Sequence, residues 1–151
     1  MLHMTPTTSH ELGEVTEFLR VADLTLSGLD SPTVRLWTAC DGDTGRIIAS
    51  TGYERSEDKN HVLIRSVAVD PALRGLGKGL KLAHFALDRA AESGATRAWL
   101  FSRRSGPFWQ KVGFVPADRN ELAIALAATH QVRLFTETGQ LQREVAWSRL
   151  L

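Results

Sequence analysis

Cysteine is almost missing from this chain: Cys40 is the only one among 151 residues. A lone cysteine excludes an internal disulfide and a cysteine-rich metal cluster, so no metal site is expected, and it fits a reducing cytoplasm. An excess of either charge is also missing. The 18 Lys and Arg stand against 17 Asp and Glu, a net of +1, so no broad field points to nucleic acid as a partner. No apolar run approaches the ~18 residues of a membrane span. The opening Met-Leu-His-Met-Thr-Pro has neither the basic nor the apolar part of a signal peptide. Repeats and low-complexity linkers are absent, and Tyr53 is the only tyrosine. The expectation is one domain, 1–151, long enough to bury a core.

The most informative stretch runs from Ile64 to Gly94. A β-branched strand ends at Asp70-Pro71, where proline stops the ladder. The loop Arg74-Gly75-Leu76-Gly77-Lys78-Gly79 follows. Leu76, Leu80, Ala83, Leu87 and Ala90 then step at helical spacing, and Gly94 stands where a helix commonly ends. The loop's glycines let a ligand approach the backbone. The first N–H groups of the helix lack intrahelical partners and carry partial positive charge. With Arg74 and Lys78 they form a cradle suited to a pyrophosphate. The loop is not a Walker A motif, because Gly77-Lys78 is followed by Gly79, and its glycine spacing differs from the dinucleotide fingerprint.

The rest of the chain supplies a mixed α/β pattern. Ser9 is positioned to cap a helix carrying Leu12, Val15, Phe18, Leu19 and Ala22. Asp23 to Pro32 reads as a short helix or a loop. Val34–Cys40, Arg46–Glu54 and His61–Val69 read as a three-strand meander. Arg97 to Ser102 is a strand after the long helix, so the two flanking strands should be parallel neighbours. Pro107 to Val112 reads as a short helix ended by Gly113, and Asn120 to Ala128 as another. Val132–Phe135 and Glu144–Leu150 read as extended. This order predicts a central mixed sheet with helices on both faces.

The loop, together with Val67-Ala68-Val69-Asp70 before it, resembles the acetyl-CoA site of the GCN5-related N-acetyltransferases, the GNAT superfamily. Phe108-Trp109-Gln110-Lys111-Val112-Gly113-Phe114 resembles that family's second signature. Leu63-Ile64-Arg65-Ser66-Val67-Ala68-Val69 is similar to a strand of small amino-acid acetyltransferases of the phosphinothricin and arsinothricin type. The resemblance covers about residues 34 to 116 and implies a GNAT-like fold, acetyl-CoA as co-substrate, and direct attack by a primary amine of a small molecule. It also implies homodimerisation, which is frequent in the family. A protein acetyltransferase and a non-catalytic acetyl-CoA sensor are the competing readings.

Site residues follow from the resemblance. Arg74, Gly75, Leu76, Gly77, Lys78 and Gly79 are expected at the pyrophosphate. Val67, Ala68 and Val69 are expected along the pantetheine arm, where strands four and five splay apart in the family. A backbone N–H near Val67 is expected at the thioester oxygen. Ser102 and Phe108 are expected as walls of the cofactor site, with core packing the alternative for Phe108. The tyrosine that many relatives use to protonate the leaving thiolate is Trp109 here, so that role does not carry over. Glu54 and His61 are candidate bases, set opposite each other by a simple hairpin register, with an exposed cross-strand charge pair the alternative. Arg65 either faces solvent or holds an acceptor carboxylate, and Tyr53 faces either core or cleft. Cys40 is expected to be a small core residue.

Overall fold

The computed structural model describes residues 2–151. In chain order the elements are β1 (Thr5–Pro6), α1 (Leu12–Val21), β2 (Val34–Cys40), β3 (Ile47–Arg55), β4 (His61–Val69), α2 (Lys78–Glu92), β5 (Arg97–Phe101), α3 (Gly106–Val112), β6 (Val115–Ala117), α4 (Arg119–Ala125), α5 (His130–Thr138) and β7 (Ala146–Leu150). The strands form one mixed sheet in the order β1-β2-β3-β4-β5-β7-β6. β4 and β5 are parallel, as the connection through α2 requires, and the other neighbours are antiparallel.

Alternation along the strands sends side chains to two cores. Val62 and Ile64 of β4, with Ala98 and Leu100 of β5, pack under Ala83, Ala86, Leu87 and Ala90 of α2 and Trp109 of α3. Leu63 and Trp99 point the other way, against Leu122 of α4, Leu126 at its C-terminal end and Val132 of α5. α1 covers that second face further along, through Val15 and Leu19 against Leu36 and Ile47.

Several local expectations are corrected. Val132–Phe135 is part of helix α5, not a strand. The Thr129 side chain caps that helix by accepting from the Val132 N–H, and Val132 and Phe135, three apart, share its buried face. Of the two readings of Asp23–Pro32, the structure has the loop: a turn-rich segment without a helix, anchored by buried Leu29. Leu76 precedes α2 and is 65% exposed, so the buried stripe of that helix begins at Leu82. Cys40 is exposed at the end of β2. Partial burial, with the Glu11 and Glu14 carboxylates, raises its thiol pKa, which disfavours the thiolate.

Candidate active site

β4 and β5 pair only at their start. His61, Val62 and Leu63 face Arg97, Ala98 and Trp99, and beyond these the strands diverge. On its other edge β4 stays paired with β3 through Val69, but with a bulge: Ser66 and Val67 together face Thr51. Ser66 carries the irregularity at φ +62°, a conformation costly for a residue with a Cβ. Its carbonyl accepts a 2.7 Å hydrogen bond from the Ser50 hydroxyl, which helps to pin the kink.

The divergence opens a cleft of about 560 Å³. The β4 side is Ile64 to Val69, and the β5 side is Leu100 to Ser102. Gly79 and Leu82 of α2 and Phe108 and Trp109 of α3 close one face, while Thr25 and Gln131 stand on the other. Thus Val67, Ala68, Val69, Arg74, Gly79, Ser102 and Phe108 are brought together around one space. Phe108 and Trp109 meet edge to face at 4.9 Å, and the Phe108 ring lies 3.6 Å from where a Gly79 Cβ would stand. A smaller cavity of about 320 Å³ adjoins the cleft, sharing Leu24, Thr25, Ser102 and Gln131 with it.

The loop leaving β4 is shaped locally. Asp70 caps a single turn at Pro71–Leu73 by accepting from the Ala72 N–H at 2.9 Å. Gly75 and Gly77 both adopt positive φ, +83° and +73°, and a Cβ at either would meet open space. These two positions combine a conformation that glycine favours with room for a ligand against the backbone. Gly77 is the N-cap of α2 and has no side chain to occupy the free N–H groups behind it. Together with Arg74, Leu76 and Lys78, the loop has the shape and charge to receive a diphosphate, and the adjoining cleft has room for an extended amide chain.

Three sequence candidates lie elsewhere. Tyr53 is buried in the α2-side core against Trp37, with ring centroids 5.8 Å apart, which corrects its placement at an acceptor. His61 is at the far end of β4, six residues before Val67, or roughly 20 Å away at the usual strand rise. Its Nδ1 accepts a 3.0 Å hydrogen bond from Trp99 Nε1. Glu54 is 1% exposed and pairs in register with Leu63, so it neither faces His61 nor forms an exposed charge pair. A simple hairpin register failed here because the strands continue past Glu54 to pair Arg55 with Val62.

Arg65 is also buried. Its Nη1 lies 3.4 Å from Glu54 Oε1, with both side chains 1% exposed, and its Nη2 donates to the Thr25 carbonyl at 3.1 Å. The carboxylate it meets therefore belongs to its own chain, which corrects both the solvent-facing and the acceptor-carboxylate readings. Burial lowers its pKa, and the Glu54 charge and hydrogen bond oppose that shift. Sequence reasoning missed Thr25 and Gln131, which carry no motif and join the cleft only through the tertiary fold.

The model of the Acetyltransferase (GNAT) family matches residues 5–114. No curated protein matches the sequence. A Mycobacterium tuberculosis protein solved in complex with CoA and NLQ is 16% identical, with a TM-score of 0.74 and 99% of each chain covered. An acetyltransferase of the GNAT family from Staphylococcus aureus Mu50 is 15% identical, with a TM-score of 0.74 over 100% of this chain and 99% of the other. N-acetylglutamate synthase from Neisseria gonorrhoeae, complexed with coenzyme A and N-acetyl-glutamate, is 16% identical with a TM-score of 0.73; all of this chain matches 35% of that one. At these identities the likeness is one of fold.

Proposed function

The chain belongs to the acetyltransferase (GNAT) family, and we propose that residues 1–151 form one catalytic domain that moves the acetyl group of acetyl-CoA to a primary amine of a small molecule. The observation that carries this reading is the separation of β4 from β5 beyond Leu63, directly beside the glycine loop that opens α2. Acetyl-CoA supplies the activated acyl group. Arg74 to Gly79 and the free N–H groups at the start of α2 hold its diphosphate. The edge of Val67 to Val69 that faces the cleft, freed from β5, offers backbone hydrogen bonds to the pantetheine amides. The Val67 N–H, turned by the bulge at Ser66, is the candidate donor to the thioester oxygen as charge develops there.

The acceptor enters from the adjoining cavity past Thr25 and Gln131. Its amine attacks the thioester carbon directly, and a thiol with a reference pKa of ~8.5 leaves as a fairly stable thiolate. Glu54 serves poorly as a base, because its oxygens are engaged by Arg65, His130 and Thr33. The named amine-acetylating relative, N-acetylglutamate synthase, supports a small amine acceptor by fold analogy. The buried state of Arg65 removes the feature that favoured a carboxylate-bearing one. An acceptor screen that measures thiol release from acetyl-CoA tests the function. Release that requires a small amine supports it, and release only with a protein lysine or N-terminus replaces it.

A further inference from the structure

Arg65 lines the cleft, and the Glu54–Arg65 pair joins three segments around its acceptor side: β4, the segment of Thr25 and the start of α5. Arg65 precedes the bulged Ser66 and Val67 on β4. One arm of its guanidinium meets Glu54 on β3, and the other donates to the Thr25 carbonyl in the segment after α1. Glu54 Oε2 accepts from the His130 N–H at 2.7 Å, at the start of α5, and from the Thr33 hydroxyl at 3.3 Å. The next residue of α5, Gln131, donates from Nε2 to the Thr25 hydroxyl at 3.0 Å. The two segments are packed closely as well, since a Cβ on Gly28 would lie 2.4 Å from the His130 ring.

A buried ion pair is weak evidence for stability, because a well-packed apolar pair often serves as well. An apolar pair has no means of fixing Thr25 and His130 by hydrogen bonds in one geometry. A guanidinium forks rigidly toward two acceptors, and a carboxylate accepts from two donors. We infer that Glu54 and Arg65 are positioning residues for the acceptor: through Thr25 and the start of α5 they set the wall, completed by Gln131, against which an acceptor larger than the bare amine is aligned with Val67. This inference rests on the acetyl-transfer reading of the cleft.

The test compares two nucleophiles with acetyl-CoA: 2-phenylethylamine, whose ring would reach into the adjoining cavity, and hydroxylamine, which is too small to. Arg65→Lys keeps a cation beside Glu54 but lacks the fork. Gln131→Leu is a second variant that leaves the buried pair intact and cuts the Gln131–Thr25 bond. Each variant should lose about tenfold in kcat/KM for 2-phenylethylamine, as expected for a misaligned reactant. Activity with hydroxylamine should fall by less, so that the ratio of kcat/KM for 2-phenylethylamine to that for hydroxylamine drops in each variant. Equal loss for both nucleophiles, or no loss for either, would overturn the inference while leaving the function in place. Wild-type protein that acetylates neither nucleophile nor any small amine of the acceptor screen would overturn the function, and this inference with it.

Discussion

Leu63 faces Trp99 in the last parallel pair between β4 and β5, and the next residue of each strand already belongs to the wall of a cleft. Both side chains are buried against α4 and α5, so the point of divergence is held by a packed core. β5 does not fray there, because its other edge pairs with β7 as far as Phe101 and Ala146. The gap is thus a built feature in which one edge of β4 is left free while its other edge stays tied to β3.

Gly77 provides the first prediction. At φ +73° an alanine is strained, by about 1 kcal/mol, and should lower the melting temperature slightly without preventing coenzyme A from raising it. Gly77→Asp places a carboxylate where the diphosphate belongs and should abolish the ligand-induced rise. A full rise in Gly77→Asp would remove the loop from the site.

Arg65→Met should leave Glu54 buried without its cation. Chemical denaturation should show a loss of about 3–5 kcal/mol. The double variant Glu54→Leu with Arg65→Met should recover a large part of it, because the uncompensated charge is gone. A double variant as unstable as the single one would show that the hydrogen bonds to Thr25 and His130, and not the charge balance, hold the fold.

The readable and unreadable parts of this chain divide along a physical line. The glycine loop, the strand before it and the helix after it were legible because local backbone rules decide them: proline ends the strand and glycine opens the turn. The sheet order around β4 and β5 followed from the parallel connection. Val132–Phe135 misled because three of its four residues, Val132, Leu134 and Phe135, are apolar and fit either structure, and the helix was decided by the Thr129 cap and by packing on Leu122 and Leu126. Leu76 matched a helical spacing but fell outside the helix. The partners of Glu54 and Arg65 were hidden because they depend on register, on the bulge at Ser66 and on Thr25 and His130, far apart in sequence. The cleft's acceptor side was illegible for the same reason.

Ser66 offers a test of the bulge. Glycine accepts a φ of +62° without strain, so Ser66→Gly should change stability by less than about 1 kcal/mol, whereas β-branched Ser66→Val should cost more than that. Thermal unfolding of the two variants decides it. Equal stability of valine and glycine would mean that the left-handed turn at Ser66 is not what bends β4.

The ionisable side chains lining the cleft are Arg65 and Arg74. A guanidinium offers no base, and the carboxylates of Asp23 and Glu144 stand in the adjoining cavity and not in the cleft itself, so the expectation is that the amine arrives deprotonated. The rising limb of kcat/KM against pH should move with the acceptor's own pKa when one amine replaces another. A limb that stays in place would reveal a base on the protein.

Asp58 tests the turn between β3 and β4. It accepts from the Ser56 hydroxyl at 2.6 Å and the Asn60 N–H at 2.9 Å, and these bonds, the hydroxyl's first, hold its pKa below the usual carboxylate value. Such a group stabilises the fold above the unfolded pKa, about 3.9, and the benefit is lost as pH falls through the lower folded pKa. Asp58→Ala should melt below wild type at pH 7, with the gap closing as the solution is acidified past both values. A gap that persists in strong acid would contradict this.

Calorimetric titration of the purified chain with coenzyme A reaches the central claim most directly. The account predicts saturable one-to-one binding by the wild type and none by Gly77→Asp folded to the same extent. Absence of binding to the wild type, or equal affinity in the variant, would contradict it.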